Sequence, residues 1–293
     1  MKLVTYKAGS KHAIGILDDN VIIDLSSTSN LPQTMQALIE AGDNVMSQVI
    51  HTASLREKTI PLQQAQLLAP IPEPKRNIIC VGKNYHAHLK EVSSLSTSPT
   101  EKNGSVPDQP IFFSKATTSV IGPGDTIPAH LDTTESVDYE GELAIVIGKE
   151  GRGIPKVNAI QHIFGYTILN DVTSRRLQKK HQQWFLGKSL DGFCPIGPAI
   201  LTADAVPDVT QLNITTHVND ELRQQGKLSD LIFDIPTLIH TLSQYMTLLP
   251  GDIIATGTPA GVGMGFNPPK FLKAGDVVTI SINGIGELKN PVS

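Results

Sequence analysis

The chain has 293 residues, a formal net charge of −4 at pH 7, 40% hydrophobic and 18% charged residues. That length and apolar content allow a sizeable core, in one large domain or a large one with a small companion. The mild acidity argues against nucleic acid or an anionic membrane as partner, and no apolar run reaches the ~18 residues of a membrane span.

The first 30 residues alternate as short strands, KLVTYK, AIGILDD and NVIIDL. LPQTMQALIEAG follows as a helix, with Pro32 in its first turn, Met35, Leu38 and Ile39 on one face, and Gly42 as its stop. Asp43 is placed to cap a second helix carrying Val45, Val49 and Ile50. Pro70, Pro72 and Pro74 make 69–76 an extended linker. The expected division is a small N-terminal α/β domain over 1–70 and a larger domain over 71–293. Beyond the linker, NIICVG, IFFSK, ELAIVIG, GYTILND, PAILTA, LNITTHVN, DIIATG and DVVTISI read as short strands bounded by turn residues. Helical patterns are few: VNAIQHIF, TSRRLQKKHQQ and IPTLIHTLSQYM, the last with Leu238, Ile239, Leu242 and Met246 on one face. A doubly wound parallel sheet is a poor fit, and the fold class is α+β and β-rich. The segment 92–109 is polar and long for a connection, as lids or disordered linkers often are. The opening MKLVTYKAGSKHAIG lacks a signal-peptide core. Cys80 and Cys194 are too few for a disulfide framework and suit small core residues in a reducing cytoplasm.

Three stretches carry chemistry. In SVDYEGELAIVIGKE, Asp138, Glu140 and Glu142 alternate, so on a strand they share a face about 6–7 Å apart. A solvated edge is the ordinary reading, but LAIVIG is apolar on both faces, which signals burial. Clustered carboxylates entering a dry region repel and lose hydration. A divalent cation removes both problems, and oxygen ligands select Mg²⁺, Mn²⁺ or Ca²⁺ over zinc. Asp171, where YTILND ends, is either a third ligand or a helix N-cap. In GKNYHAHLKE, His88 and Glu91 lie three apart, one helical turn, where a carboxylate beside an imidazole suits a general base. His86 and His88 as a metal pair, or a plain surface ion pair, are the competing readings. Lys188, before a Pro/Gly turn, and Thr258, in a Gly-Thr-Pro turn, could each meet a carboxylate or serve only their turns. Gly257, Gly261, Gly263 and Gly265 do not match a dinucleotide loop.

Taken in order, GKNYHAHLKE, IFFSK, DYEGELAIVIGK, FGYTILNDVTSRRLQ, GKSLDGFCPIGP and PGDIIATGTPAGVGMG resemble the fumarylacetoacetate hydrolase family over roughly residues 70–290. The resemblance implies a mixed β-roll catalytic domain, a homodimer, and Mg²⁺ or Mn²⁺ held by Glu140, Glu142 and Asp171. It implies that His88 and Glu91 activate water on a segment that closes over substrate, with 85–109 as the lid. Lys188 matches an active-site lysine. Tyr85, Lys115, Gln178 and Thr258 are assigned to substrate. Arg175 is read as structural, and Asp138 takes a supporting role. The expected reaction is cleavage of a C–C bond in acylpyruvate-type 2,4-dioxo acids, in which activated water attacks the distal carbonyl and pyruvate enolate leaves. Oxaloacetate decarboxylation or 2-hydroxymuconate-type isomerisation uses the same enolate chemistry. A metal-dependent binding protein without activity is the alternative from a different class.

Overall fold

The computed structural model describes residues 1–95 and 105–293; the part of the expected lid between them lies outside the described residues. The strands, in chain order, are β1 (Lys2–Ala8), β2 (Lys11–Asp18), β3 (Val21–Asp24), β4 (Thr59–Pro61), β5 (Gln66–Leu67), β6 (Ile78–Gly82), β7 (Ile111–Lys115), β8 (Val120–Ile121) and β9 (Val137–Asp138). They continue as β10 (Gly141–Ile147), β11 (Ile163–Asn170), β12 (Thr173–Ser174), β13 (Cys194–Thr202), β14 (Asn213–Val218), β15 (Glu221–Lys227), β16 (Ile253–Ala255), β17 (Val277–Ile282) and β18 (Gly286–Pro291). The α-helices are α1 (Met35–Ala41), α2 (Asp43–Leu55), α3 (His86–Leu95), α4 (Arg175–Lys180), α5 (Phe185–Lys188) and α6 (Ile235–Tyr245).

One mixed sheet runs β4-β3-β2-β1-β13-β11-β10-β16-β6-β7, with β5 on β1 and β8 on β13. Its β16–β6 and β13–β8 pairs are parallel. An antiparallel sheet, β15-β14-β17-β18, and a ribbon, β9 with β12, complete the β-roll. β10, buried at every residue, sits between β11 and β16. That position explains its uninterrupted apolar run, since a strand covered on both faces has no solvent side to make polar.

A sheet and a core both run across the division expected at residue 70. β1 pairs β13 through Lys2↔Leu201 and Leu3↔Ile200, so the N-terminal strands extend the large sheet. One core joins Leu3, Met35 and Leu38 to Cys80, Val146 and Ile196. Local signals place helix ends well but not to the residue. Pro32 precedes α1 rather than lying in its first turn, and Thr34 caps the helix, its hydroxyl accepting from Ala37 N at 3.2 Å. Asp43 is the first residue of α2 and Gly42 its cap. Asp234 caps α6, whose Ile235, Leu238, Ile239 and Leu242 are buried. The VNAIQHIF stretch is a short 3₁₀ turn, Lys156–His162, that runs into β11. Its β-branched tail prefers the pleated sheet to a helix.

Leu38, fully buried in the shared core, tests the unity of the two parts. Leu38→Ala is expected to cost about 2–5 kcal/mol. In urea unfolding followed by circular dichroism, the whole transition shifts as one; a separate early transition for the N-terminal part would contradict a common core.

Candidate active site

Backbone register builds the acidic centre. The β10–β11 ladder sets Gly141 opposite Asn170, so Glu140 and Asp171 emerge side by side just beyond the pairing. Asp171 N donates to Glu140 O at 2.8 Å, and Glu140 N donates to the Asn170 side chain at 3.0 Å. Glu142 follows two residues on, on the same face. One carboxylate oxygen from each of Glu140, Glu142 and Asp171 lies within 4.8 Å of the others, and all three residues are buried.

Buried carboxylates require compensation. Lys188 donates to Glu140 at 2.8 Å and to Asp171 at 2.6 Å. Lys115, fully buried, donates to Asp171 at 2.8 Å, to Val172 O at 3.0 Å and to Lys188 O. Arg175 bridges Asp138, at 2.8 Å, and Glu140, at 2.6 Å. Burial pushes the Glu140 carboxyl up, but the Lys188 and Arg175 charges outweigh it and hold it well below the usual range. Burial pulls the Lys188 ammonium down, and Asp171 and Glu140 more than restore it. Glu142 is different: burial, then Asp171 and Glu140, push its carboxyl well above the ordinary value, with the Gly257 N–H at 2.7 Å as its hydrogen-bond donor. The three cations thus leave one of the four acids uncompensated. A divalent cation fits that deficit, and an all-oxygen donor set suits Mg²⁺ or Mn²⁺.

Asp138 keeps the face that alternation gave it but has no free oxygen to offer. Its Oδ1 accepts from Tyr139 N at 2.9 Å and Gly263 N at 2.6 Å; its Oδ2 accepts from Met264 N at 3.0 Å and Arg175 Nε at 2.8 Å. It therefore ties the 263–265 turn and α4 to the acidic centre. Lys115, expected at the substrate, lies behind the carboxylates instead and is absent from the cavity wall. Its three protons are already shared among Asp171, Val172 O and Lys188 O. Tyr85 is also off the wall: it is 2% exposed and bridges Leu231 through its backbone, and burial, with Glu142 and Asp230, pushes its phenol up.

A cavity of about 550 Å³ opens over the acids. Glu140, Glu142, Lys188, Thr258, Gln178 and His88 all reach its wall. His88 and Glu91 stand on α3, one turn apart, with His88 Nδ1 3.1 Å from Glu91. The other Glu91 oxygen accepts from Gly261 N at 2.9 Å. His88 Nε2 is thereby left for the cavity. Thr258 donates to Gly141 O at 2.9 Å, and its hydroxyl accepts from Gln224 at 2.7 Å. Gly257, at φ +105°, turns this segment so that its N–H meets Glu142, a conformation glycine adopts without strain. The 257–265 segment therefore touches the acidic centre, the His–Glu pair and Asp138 together.

Sequence reasoning missed three contributors. Arg175, read as structural, is on the cavity wall, and its second guanidinium amino group has no partner among the described residues. It opens α4 four residues beyond Asp171, directly after β12. Gln224 accepts from Gly141 N at 3.0 Å and donates to Thr258 and Pro259 O, but it comes from a polar strand with no local mark. The Phe113–Trp184 edge-to-face pair, 5.2 Å between centroids, forms an apolar wall that no short motif announces.

The model of the fumarylacetoacetate (FAA) hydrolase C-terminal family matches residues 77–293. The chain belongs to the fumarylacetoacetate hydrolase family. Oxaloacetate tautomerase YisK of Bacillus subtilis (strain 168) is 44% identical over the full length of both chains. A fumarylacetoacetate hydrolase from Exiguobacterium antarcticum has a similar structure, with a TM-score of 0.85 and 41% identity over 100% of this chain and 99% of its own. A maleylpyruvate hydrolase from Sphingobium sp. SYK-6, solved with manganese(II) and pyruvate, gives 0.80 and 34% over 100% and 98%. The α+β, β-rich roll expected from the sequence is the fold of this family.

Two outcomes follow from the charge balance. Lys115→Met leaves Asp171 with a buried, partly unpaired charge and is expected to cost about 3–5 kcal/mol in chemical denaturation; a loss below 1 kcal/mol would show that Lys188 suffices alone. The raised Glu142 value means the folded protein keeps a proton that the unfolded chain releases at lower pH. Metal-free stability is therefore fully present at acidic pH and falls as pH rises through that raised value. A cation takes the proton's place. The thermal shift produced by Mn²⁺ is expected to be larger at mildly alkaline than at mildly acidic pH, and an equal shift at both would contradict a protonated Glu142.

Proposed function

We propose that this protein is a divalent-cation-dependent enzyme of 2-oxo acids whose reaction is the keto–enol tautomerisation of oxaloacetate. The observation that carries the proposal is the placement of His88, oriented by Glu91, on the same cavity wall as Glu140, Glu142 and Lys188. A proton-transfer group and an anion-stabilising centre there face one substrate space. The full-length likeness to an oxaloacetate tautomerase supports this reaction ahead of the C–C hydrolysis expected from the sequence.

Glu140, Glu142 and Asp171 are the residues to hold Mg²⁺ or Mn²⁺, which when bound supplies Lewis-acid stabilisation to the oxygens of the 2-oxo acid. The chain's own groups do the rest. Lys188 and Lys115 fix Glu140 and Asp171 in place. The unpartnered Arg175 amino group and Gln178 on α4 are available to the substrate carboxylate, and the Thr258 turn closes the same end. His88 Nε2 takes the C3 proton of the keto form, and the electron pair moves into the C2–C3 bond. Protonation at the C2 oxygen completes the enol, and the reverse path returns the ketone. Glu91 holds the imidazole tautomer that leaves Nε2 basic.

A second reading rests on the same pair. His88 Nε2 can instead deprotonate a water, whose hydroxide adds to the distal carbonyl of an acylpyruvate. The C–C bond then breaks and pyruvate enolate leaves, as suits the likeness to a maleylpyruvate hydrolase. A homodimer in the cytoplasm completes the proposal and is open to light scattering and fractionation.

The direct test follows the ultraviolet absorbance of enol-oxaloacetate and pyruvate release from acetylpyruvate, each with Mn²⁺ or Mg²⁺. His88→Ala is expected to lower turnover by roughly 10²–10⁴-fold while leaving the Mn²⁺ thermal shift intact. Glu140→Gln and Asp171→Asn are expected to lose both. Full activity in His88→Ala, or an unchanged metal shift in Asp171→Asn, would refute the assigned roles.

A further inference from the structure

Lys83 has no task in the reaction above, yet its setting is built with care. It is a non-glycine residue at φ 57°, in the left-handed region where such residues are uncommon. Its neighbours hold it there. Asn84, fully buried, donates to Phe233 O at 3.0 Å and Thr256 O at 2.8 Å and accepts from Phe233 N at 2.8 Å. On the other side, Gly82 lies flat against Trp184, where any Cβ would collide with the indole ring. Lys83 is thus presented to the cavity wall from a backbone pinned at both sides.

Its half-buried charge is the unusual part, since Lys179, which also reaches the wall without a carboxylate partner among the described residues, is exposed. Lys115, Lys188 and Arg175 are each committed to a carboxylate. Among the described residues no acid pairs with Lys83. The Lys188 ammonium lies 5.0 Å from the Phe113 ring centre; Phe113 stands 5.2 Å from Trp184; Trp184 rests on Gly82. The Phe113–Trp184 pair thus lies between the Lys188 ammonium and Gly82, the residue that precedes Lys83. With a divalent cation seated on the three acids, the wall carries more positive charge than one substrate carboxylate offsets.

We propose that Lys83 is a specificity-determining residue that binds the second, distal carboxylate of a dicarboxylic 2-oxo acid. The proposal rests on the reading of the site as one for 2-oxo acids and adds to it the selection of diacids over acids with a neutral tail. The aromatic pair lines the path between the two carboxylates, and the Lys83 ammonium offers a charge-assisted hydrogen bond at its far end.

Steady-state kinetics of Mn²⁺-loaded wild type, Lys83→Met and Lys83→Arg are compared on oxaloacetate, maleylpyruvate and acetylpyruvate, with oxalate binding measured by calorimetry. Losing one charge-assisted bond raises KM for the diacids roughly 10- to 100-fold in Lys83→Met, leaves acetylpyruvate and oxalate unchanged, and is largely reversed in Lys83→Arg. Equal changes for diacid and neutral-tailed substrates, weakened oxalate binding, or no change at all would overturn the proposal. If wild type turns over none of these, the proposed reaction fails. The Lys83 assignment is then decided by calorimetry alone: a diacid must bind less tightly to Lys83→Met than to wild type while oxalate binds equally.

Discussion

Four carboxylates, Asp138, Glu140, Glu142 and Asp171, are buried together in the heart of a β-roll, and among the described residues three cations pair with them. Burying a charge without a partner is among the costliest acts in folding. Much of the surrounding structure can be traced to how this cost is met. Lys115 and Lys188 are drawn inside, Arg175 is bridged between two acids, and backbone N–H groups of the glycine-rich turn are spent on Asp138 and Glu142. What stays unmet is centred on Glu142, and that is where a divalent cation is wanted.

The same turn gives the site its unity. Residues 257–265 give N–H groups to Glu142, Glu91 and Asp138 in succession. The acidic centre, the His–Glu pair and helix α4 are therefore held by one continuous stretch of backbone. Gln224, from the second sheet, fastens that stretch to the start of β10 through Gly141, Thr258 and Pro259. A shift at any of these points reaches the others, because buried hydrogen-bond networks tolerate little unpaired geometry.

Oxaloacetate enolisation and acylpyruvate hydrolysis ask nearly the same of this arrangement. Each needs an anion-stabilising end and a base facing it. They differ in where the proton is taken, from carbon or from water, and in what lies at the distal end of the substrate. On the proposed reading, the wall with Phe113, Trp184 and Lys83 is where the two reactions would place the differing ends of their substrates.

Local sequence was enough for the strands that are buried on both faces, for the helix stop at Gly42, and for the alternation of Asp138, Glu140 and Glu142. Those features depend on period and on turn chemistry, which act over a few residues. It was not enough for β15 and β18, ELRQQGK and GELKNP, whose polar sequences form strands because β14 and β17 offer them partners. Nor did alternation say which acids share a cation; only the family resemblance singled out Glu140, Glu142 and Asp171. Asp138 and Glu142 look alike along the strand, and what separates them is the set of donors brought from residues 175, 257, 263 and 264. Likewise Lys115 and Lys188 both read as lysines near a site, but only the packed sheet sends one behind the carboxylates and the other to the cavity. The chemistry on offer was written in the order of the residues. Which group is saturated, which is left charged and which faces the substrate was decided by strand register and long-range hydrogen bonds, because a buried charge takes its character from partners that lie far away along the chain.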